Sequence, residues 1–239
     1  MIPITNLIDQ LPWHPNRRWS KRSLNRIDKI IVHQELGEGT VEQVNNYHIT
    51  APNHISSKGC PHICYHYCIR KSGEVVQAND LSSITWHCKG ENSNAIGIML
   101  VGNFNGPGYS LGSSEPTKEQ IASLKELVDH LISGFSLTKQ DVYGHYHFGK
   151  PECPGFIIQE WIEETRNEII GTIAANNIPM ETKEVQKRLN QLGYGVGKVD
   201  GIHGIRTASA IRKFQADSGL HVDGVVGPNT WKTLIAKTT

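Results

Sequence analysis

The stretch GHYHFGKPECPG, residues 144–155, concentrates side chains that bind metals or transfer protons. His145 ends the apolar segment DVYGH and Cys153 follows eight residues later, so a loop of that length can bring both to one ion. A hydrolytic zinc ion usually has three protein ligands and keeps a fourth position for water. His33, which ends the segment IIVH, fits a third ligand from a neighbouring strand. From spacing alone, histidines in ordinary hydrogen bonds and a buried thiol are the favoured interpretation.

A second group of metal-binding residue types lies in CPHICYHYC, where Cys and His alternate over residues 60–68. In an extended strand, alternate residues are ~7 Å apart, which is too wide for three of them to bind one ion. Pro61 also favours a loop for the first part. We therefore predict buried free thiols that pack as small apolar groups, with a second structural metal as the alternative. The same alternation places Tyr65 and Tyr67 on one face.

The composition indicates a soluble globular protein. The chain has 239 residues, enough for one large domain or two smaller ones, with 38% hydrophobic and 20% charged residues. No apolar run approaches the length needed to cross a bilayer, and the N-terminus lacks the pattern of a signal peptide. Five cysteines is an odd number, which favours free thiols or metal ligands over a full disulfide framework. The net charge of +1 suggests neither nucleic acid nor membranes as partners.

Strands are predicted where apolar runs leave little room for a polar face. RIDKIIVH at residues 26–33 and AIGIMLVG at 95–102 are such runs, and the second is expected at the centre of a sheet. The segment CYHYCIRKSGEVVQ is typical of a hairpin that turns at residues 71–73. Strands interspersed with helices predict an α/β fold, with a mixed central sheet flanked by helices.

Helix starts are marked twice by a capping-box pattern, at Thr40–Gln43 and at Thr117–Gln120. We expect the second of these helices to stop at Gly134. Another helix is predicted from about Phe156 to Ile173, and its inward-facing residues should be Ile157, Trp161 and Ile169.

The last 60 residues or so form a different unit, which follows the short polar segment AANNIPM at residues 174–180. TKEVQKRLNQLGY is a capped helix, and the pattern of Val, Asp, Gly, Gly and Thr then occurs twice, in residues 199–211 and 222–234. Each copy predicts a tight Asp-Gly turn leading into a helix, and Pro228 suits a first helical position. We therefore predict one domain at residues 1–173, a linker at 174–180, and a small three-helix C-terminal domain at 181–239.

Both units resemble known families. The stretches IIVHQ, CYHYCIRKSGEV, TWHCKGENSNAIGIMLVGNF and GHYHFGKPECPG resemble the zinc-dependent N-acetylmuramoyl-L-alanine amidases, a family shared by phage endolysins and peptidoglycan-recognition proteins. The stretches VQKRLNQLGY, VDGIHGIRTASAIRKFQADSGL and VDGVVGPNTW resemble the peptidoglycan-binding domain at the ends of many cell-wall hydrolases. Two separate resemblances that both point to peptidoglycan support each other.

The resemblance implies one catalytic zinc ion, with His33, His145 and Cys153 as its ligands. It also implies that zinc-activated water attacks the lactyl carbonyl of N-acetylmuramic acid and that L-alanine leaves as the amine. His147 is a rival ligand, because it follows His145 by two residues and would point the same way along a continued strand.

Two catalytic residues are expected beside the ion. Tyr65 matches a tyrosine that the family places next to the zinc, where it would stabilise the oxyanion or orient the water, although packing on the sheet is the alternative. Lys150 is the second, but phage-type members carry their lysine two residues before the cysteine, where this chain has Pro151. A solvated loop lysine is therefore the alternative. Glu152 is a weaker acid-base candidate. Val101 occupies the place of a glutamate that some members use, which favours the phage-like arrangement.

The loop TWHCKGENSN borders the cleft in this family. The resemblance therefore makes Trp86, His87 and Asn94 substrate-binding candidates, with structural roles as the alternative. His87 is also a candidate donor to the oxyanion.

We predict a peptidoglycan hydrolase that cleaves between N-acetylmuramic acid and L-alanine and serves host-cell lysis by a phage. The alternatives are a bacterial autolysin of the same chemistry, or a non-catalytic peptidoglycan-recognition protein, a class that typically lacks the cysteine ligand. The expected partner is bacterial peptidoglycan, with no nucleic acid, no membrane insertion and a monomeric chain. We expect synthesis in the host cytoplasm without a signal peptide, and action on the cell wall after release.

Overall fold

The computed structural model describes residues 2–105, 115–173, 182–220, 222, 224 and 226–238. The chain divides into two compact units, Met1–Ile169 and Ile170–Thr239. The linker predicted at residues 174–180 lies outside the described residues, so the domain boundaries stay a prediction. Within the part of the chain that the structure describes, no helix combines the length and apolarity that a membrane span requires.

The first unit is built on one six-stranded sheet with the order β1-β4-β3-β5-β2-β6. Strand β3 pairs antiparallel with β4, and the other four neighbouring pairs are parallel. The predicted mixed sheet, the central position of the strand at residues 95–100 and the hairpin are thus confirmed. The strands are β1 Ile4–Asn6, β2 Lys29–Gln34, β3 Tyr67–Ile69, β4 Val75–Gln77, β5 Ala95–Leu100 and β6 Val142–Gly144.

In the part of this unit that the structure describes, three α-helices accompany the sheet: α1 Val41–Ile49, α2 Lys118–Phe135 and α3 Phe156–Ile173. Both predicted capping boxes are present, because Thr40 and Thr117 each accept a backbone hydrogen bond from the glutamine three residues on, whose side chain bonds back. These reciprocal bonds satisfy amide groups that the first turn of a helix leaves unpaired.

Two helix predictions are wrong in detail. Helix α2 continues through Gly134 and ends at Phe135, and its C-cap Ser136 has a φ of 54°, in the left-handed region that terminates helices. In α3, Ile157 is 39% exposed, whereas Ile158 and Ile162 are fully buried. Trp161 packs against the same core, as predicted, and the side chain of Ile169 lies outside the described residues. The error at Ile157 arises because Ile157 and Ile158 are adjacent and the pattern alone does not choose between them.

Separate apolar clusters lie on the two faces of the sheet. One joins Ile30, Ile96 and Ile98 to helices α2 and α3, and the other joins Cys68 and Met99 to α1 and the N-terminal segment. Tyr67 belongs to the first cluster and Tyr65 packs on the second, so the prediction that they share a face is wrong. The regular alternation does not reach Tyr65, since β3 begins only at Tyr67.

Among its described residues, the C-terminal unit has three helices as predicted: α4 Thr182–Gln191, α5 Ile205–Asp217 and α6 Pro228–Thr238. Leu189, Ile211, Phe214 and Leu234 form its fully buried core. The first Asp-Gly turn has Gly201 at φ 82° and the second has Gly224 at φ 81°, a conformation that favours glycine.

A buried glutamine fastens each turn to a helix in the same way. Gln186 accepts a hydrogen bond from Gly201 N at 2.8 Å and donates to Thr207 Oγ1 at 3.1 Å. Gln215 accepts from Gly224 N at 2.8 Å and donates to Thr230 Oγ1 at 3.2 Å. The sequence repeat is therefore also a repeat of buried hydrogen bonds.

Candidate active site

Three predicted ligands converge from three separate segments. His33 lies near the carboxyl end of β2, His145 begins a 3-10 turn directly after β6, and Cys153 lies in the loop before α3. Their candidate ligand atoms all lie within 4.8 Å of one another. Cys153 Sγ is 3.8 Å from His33 Nδ1, and the ring centroids of His33 and His145 are 4.6 Å apart. Among the described residues, this is the one group of three or more such side chains.

The donor set fits a zinc ion. Zinc bonds of ~2.0 Å to nitrogen and ~2.3 Å to sulfur place the donors of a tetrahedral site about 3.5 Å apart. The separation of 3.8 Å between His33 Nδ1 and Cys153 Sγ is close to that value. Three ligands also leave one tetrahedral position for water or substrate, as catalytic zinc sites do.

The protonation of the three side chains suits metal binding. Burial lowers the pKa of His33 well below its usual value and that of His145 to about 4, so both imidazoles are neutral at pH 7. Neutral imidazole is the form that binds metals. Burial raises the pKa of the Cys153 thiol to about 12. Its deprotonation therefore depends on the charge of a bound cation.

Gln34 holds the Cys153 loop beside β2, a role that the sequence analysis missed. Its Nε2 donates to the backbone oxygen of Glu152 at 2.6 Å and to Asn105 Oδ1 at 2.6 Å, while its Oε1 accepts from Phe104 N at 2.6 Å. A buried glutamine at the end of an otherwise apolar strand requires such partners. A glutamine directly after the apolar run IIVH was therefore the sequence feature that could have indicated this role.

The candidate ligands lie in a groove of about 840 Å³. Tyr65 lines it, and its ring centroid is 5.2 Å from that of His33. Burial, reinforced by the neighbouring Cys153, raises the pKa of Tyr65 well above its usual value. The phenol therefore keeps its proton at neutral pH and is available as a hydrogen-bond donor.

Trp86, a predicted substrate-binding residue, and Lys150, a predicted catalytic residue, also line the groove. Trp86 packs edge-to-face on Trp19 at 5.2 Å, and the Arg17 guanidinium lies 5.1 Å from its ring. Lys150 is exposed. His87 lines the groove as well but is only 6% exposed, and its Nδ1 is 3.1 Å from His33 Nε2.

Asn94 is not brought to the groove, contrary to the prediction. It directly precedes β5, whereas His33 pairs with Met99, five residues further along that strand. At ~3.3 Å per residue this separates Asn94 from His33 by about 16 Å along the sheet. The Asn94 amide instead donates to both carboxylate oxygens of Asp28 at 3.1 Å.

His147 and Glu152 are not part of the group of candidate ligands. The strand does not continue past Gly144, so the 3-10 turn sends His147 elsewhere. His147 Nε2 lies 3.4 Å from Glu163 Oε1 on α3. The Glu152 side chain is exposed, and the backbone oxygen of this residue is what bonds to Gln34.

The cysteines of CPHICYHYC are free and buried, as predicted. Cys60 and Cys64 pack against Trp19, and Cys68 lies in the cluster below α1. Within the described ranges, these residues form no second group of metal-binding side chains.

Helix α1 and the loop that follows it also contribute to the lining of the groove, which was not predicted from the sequence. Tyr47, His48 and His54 all line it. The rings of Tyr47 and His54 are stacked, and Tyr47 Oη lies 2.9 Å from His54 Nδ1.

Comparison with known protein families shows to which family the chain belongs. The profile of the N-acetylmuramoyl-L-alanine amidase family matches residues 23–156, which are more than half of the chain and include all three candidate ligands. The chain belongs to that family. The profile of a peptidoglycan binding domain matches residues 180–234, as the second resemblance implied.

Curated relatives include phage and animal proteins. An endolysin of Klebsiella phage KP32 is 26% identical over 146 residues, which cover 59% of this chain and 88% of that protein. The chain spans 63% of the endolysin of Enterobacteria phage K11, at 28% identity over 99 residues and 41% of this chain. Peptidoglycan-recognition protein SC2 of Drosophila melanogaster is 27% identical over 157 residues, 62% of this chain and 80% of that protein.

A solved structure confirms the fold. N-acetylmuramoyl-L-alanine amidase LysC from Clostridium intestinale superimposes with a TM-score of 0.53 and is 24% identical. The match covers 71% of this chain and 99% of that one.

Proposed function

We propose that this amidase works with one zinc ion held by His33, His145 and Cys153, and that a phage uses it to lyse its host. The observation that carries the zinc proposal is the convergence of these three side chains within 4.8 Å at the surface of an open groove. Two neutral imidazoles and a thiol match the ligands that zinc prefers.

The ion would lower the pKa of a water molecule in the groove towards neutrality. Tyr65 is proposed to donate a hydrogen bond from its phenol to the scissile carbonyl oxygen as that oxygen gains negative charge. Lys150 supplies a positive charge at the edge of the same groove and is proposed as a second stabilising group. Hydrolysis adds water across the amide bond, which leaves a carboxylate on the lactyl group and a free amine on L-alanine.

Substrate binding is proposed for the walls of the groove. Trp86 offers one aromatic surface in the groove lining, and the stacked rings of Tyr47 and His54 offer a second. Exposed aromatic rings at such a site bind apolar faces of a ligand.

The C-terminal unit is proposed to hold the enzyme on the wall. The profile match at residues 180–234 supports this, as does the excess of nine Lys/Arg over five Asp/Glu in residues 179–239. A positive domain is attracted to the carboxylates of peptidoglycan stem peptides. The endolysin relatives support a role in lysis, with synthesis in the host cytoplasm and action on the wall after release.

A recognition protein without catalysis is the second candidate, because peptidoglycan-recognition protein SC2 is also a relative. The presence of Cys153 beside the two histidines favours the enzyme.

The test is digestion of purified bacterial walls followed by product analysis. Amidase chemistry predicts new N-terminal L-alanine without release of reducing sugar. Reducing sugar without a free amine would refute the proposed chemistry, and wall binding with neither product would favour the recognition protein. A chain truncated after residue 173 should bind walls more weakly than the full chain. It should keep its activity on soluble muramoyl peptides, and this retained activity is the control that the truncated chain folds. Unchanged wall binding would refute the targeting role.

A further inference from the structure

His87, a histidine beside the two candidate histidine ligands, has no role in the proposed chemistry. His87 follows Trp86 in the groove loop, but it is only 6% exposed, so little of its ring is available to a substrate. We propose that His87 is a positioning residue that holds the His33 imidazole so that its Nδ1 faces the metal. This inference rests on the zinc site proposed above.

The two ring nitrogens of His33 face different partners. Nδ1 lies 3.8 Å from Cys153 Sγ, on the side of the other two candidate ligands. Nε2 lies 3.1 Å from His87 Nδ1, within hydrogen-bond distance, and both residues are buried. Because Nε2 is engaged with His87, Nδ1 is the nitrogen that remains for the ion.

His87 is itself held by the sheet. It packs on Gly97 in β5, where an added Cβ would lie 2.7 Å from His87 Cγ. Gly97 pairs with Ile31, two residues before His33 on the adjacent strand. A larger residue at 97 would displace the His87 ring, so glycine at this position lets the ring reach His33.

The hydrogen bond also determines where the protons lie in the metal-bound protein. A neutral imidazole carries one N–H, and a nitrogen that binds a metal must offer its lone pair. His33 therefore has its proton on Nε2 and donates it to His87 Nδ1. His87 in turn carries its own proton on Nε2. Such outer partners fix the tautomer and the ring orientation of a metal ligand, and their loss typically costs ~10–100-fold in metal affinity.

Zinc affinity of the full chain, measured by competition with a chelator, tests the proposal. His87→Leu removes the acceptor and should weaken zinc binding by ~10–100-fold. His87→Asn keeps an acceptor oxygen near the position of Nδ1 and should recover part of that loss. His62→Leu is the matched control: His62 is fully buried and stacks on Trp13, away from the candidate ligands, so zinc affinity should not change.

Unchanged zinc affinity in His87→Leu would overturn the proposal. If the KM of this variant were also increased, His87 would instead be a substrate-binding residue. If His87→Leu does not fold, nitrogen-15 NMR of the zinc-loaded natural chain decides. The proposal requires the proton of His33 on Nε2 and a metal-bound Nδ1, and the reverse arrangement would overturn it. A chain that binds zinc in this way but releases no L-alanine amine would refute the proposed function and leave the role of His87 intact.

Discussion

Cys153 Sγ lies 3.8 Å from His33 Nδ1, although the two residues are 120 positions apart in the chain. Gln34, the neighbour of His33, bonds to the backbone of Glu152, the neighbour of Cys153. Each of these two candidate ligands is thus adjacent in sequence to one partner of a part-buried hydrogen bond. The two ends of the site are held together independently of any ion.

Cys153→Ser should abolish most of the zinc affinity, because it replaces the thiolate with a weaker ligand. The loss should exceed the ~10–100-fold that is typical for partners of ligands. Zinc content after dialysis and release of L-alanine from walls would both measure it. Cys88→Ser is the matched control, since Cys88 is a buried free cysteine in another cluster. A Cys153→Ser chain that keeps both zinc and lysis would show that the ligand set is wrong.

Tyr65→Phe should lower kcat by on the order of 10²–10³ while zinc affinity stays the same, because the change removes one donor to the developing oxyanion. The ring that packs beside His33 is retained. Steady-state kinetics on a soluble muramoyl peptide would separate kcat from KM. An unchanged kcat would assign Tyr65 to packing alone.

Lys150→Gln tests whether Lys150 does the work of the family lysine despite Pro151. If it stabilises the transition state, kcat should fall by on the order of 10². Lys89→Gln provides the comparison, because Lys89 also lines the groove and is exposed. Removing Lys89 should affect KM and not kcat. Equal, small effects of the two substitutions would identify Lys150 as a solvated loop residue.

Glu42 and Arg70 should make stability depend on pH in the acid range. The two side chains form a bidentate pair at 2.5 and 3.0 Å, and this bonding lowers the pKa of Glu42 from 4.5 to about 2. The carboxylate therefore contributes stability above pH 4.5 that disappears as the pH falls to about 2. The Glu42 side chain is 47% exposed, so we expect no more than about 1 kcal/mol.

Urea unfolding of the natural chain and of Glu42→Gln measures this contribution. The difference in unfolding free energy should be largest near pH 7 and should shrink between pH 4.5 and pH 2. Glu126→Gln, at an exposed position of α2, should show a smaller difference at pH 7. A difference for Glu42→Gln that is constant over this range would contradict the prediction.

Gln186→Leu should destabilise the C-terminal unit by ~1–3 kcal/mol, because it leaves buried polar groups of the first turn without a partner. Gln215→Leu should cost a similar amount at the second turn, since Gln215 makes the two corresponding hydrogen bonds to Gly224 N and Thr230 Oγ1. Hydrogen exchange of the α5 amides in the full chain would report both. Gln191→Leu, at an exposed position of α4, should change the stability by less than ~0.5 kcal/mol. If all three variants exchanged equally, the buried glutamines would not be what holds the turns.

Short sequence patterns predicted most helices and strands, because residues close together in the sequence determine where these elements form. A capping box needs only two residues three positions apart, and those at Thr40 and Thr117 form as expected. Continuous apolar runs such as IIVH and AIGIML become buried parallel strands. The wrong predictions concern side chains whose orientation depends on packing against a neighbouring helix or strand. Helix α3 buries Ile158 and exposes Ile157, and the chain leaves the strand after Gly144, which removes His147 from the site.

The sequence by itself determined the chemistry that this protein has available: two histidines at strand ends, a cysteine in a following loop, a tyrosine beside the hairpin, and a repeated turn near the C-terminus. Residue types and short spacings carry that information. Only the tertiary structure decided which of these groups meet. Parallel pairing of β2 with β5 and β6 brings the carboxyl ends of the strands to one edge, which places His33 near His145 and leaves Asn94 at the other end. Contacts over such long separations depend on strand register and on buried partners such as Gln34 and His87, and no short stretch of sequence contains them.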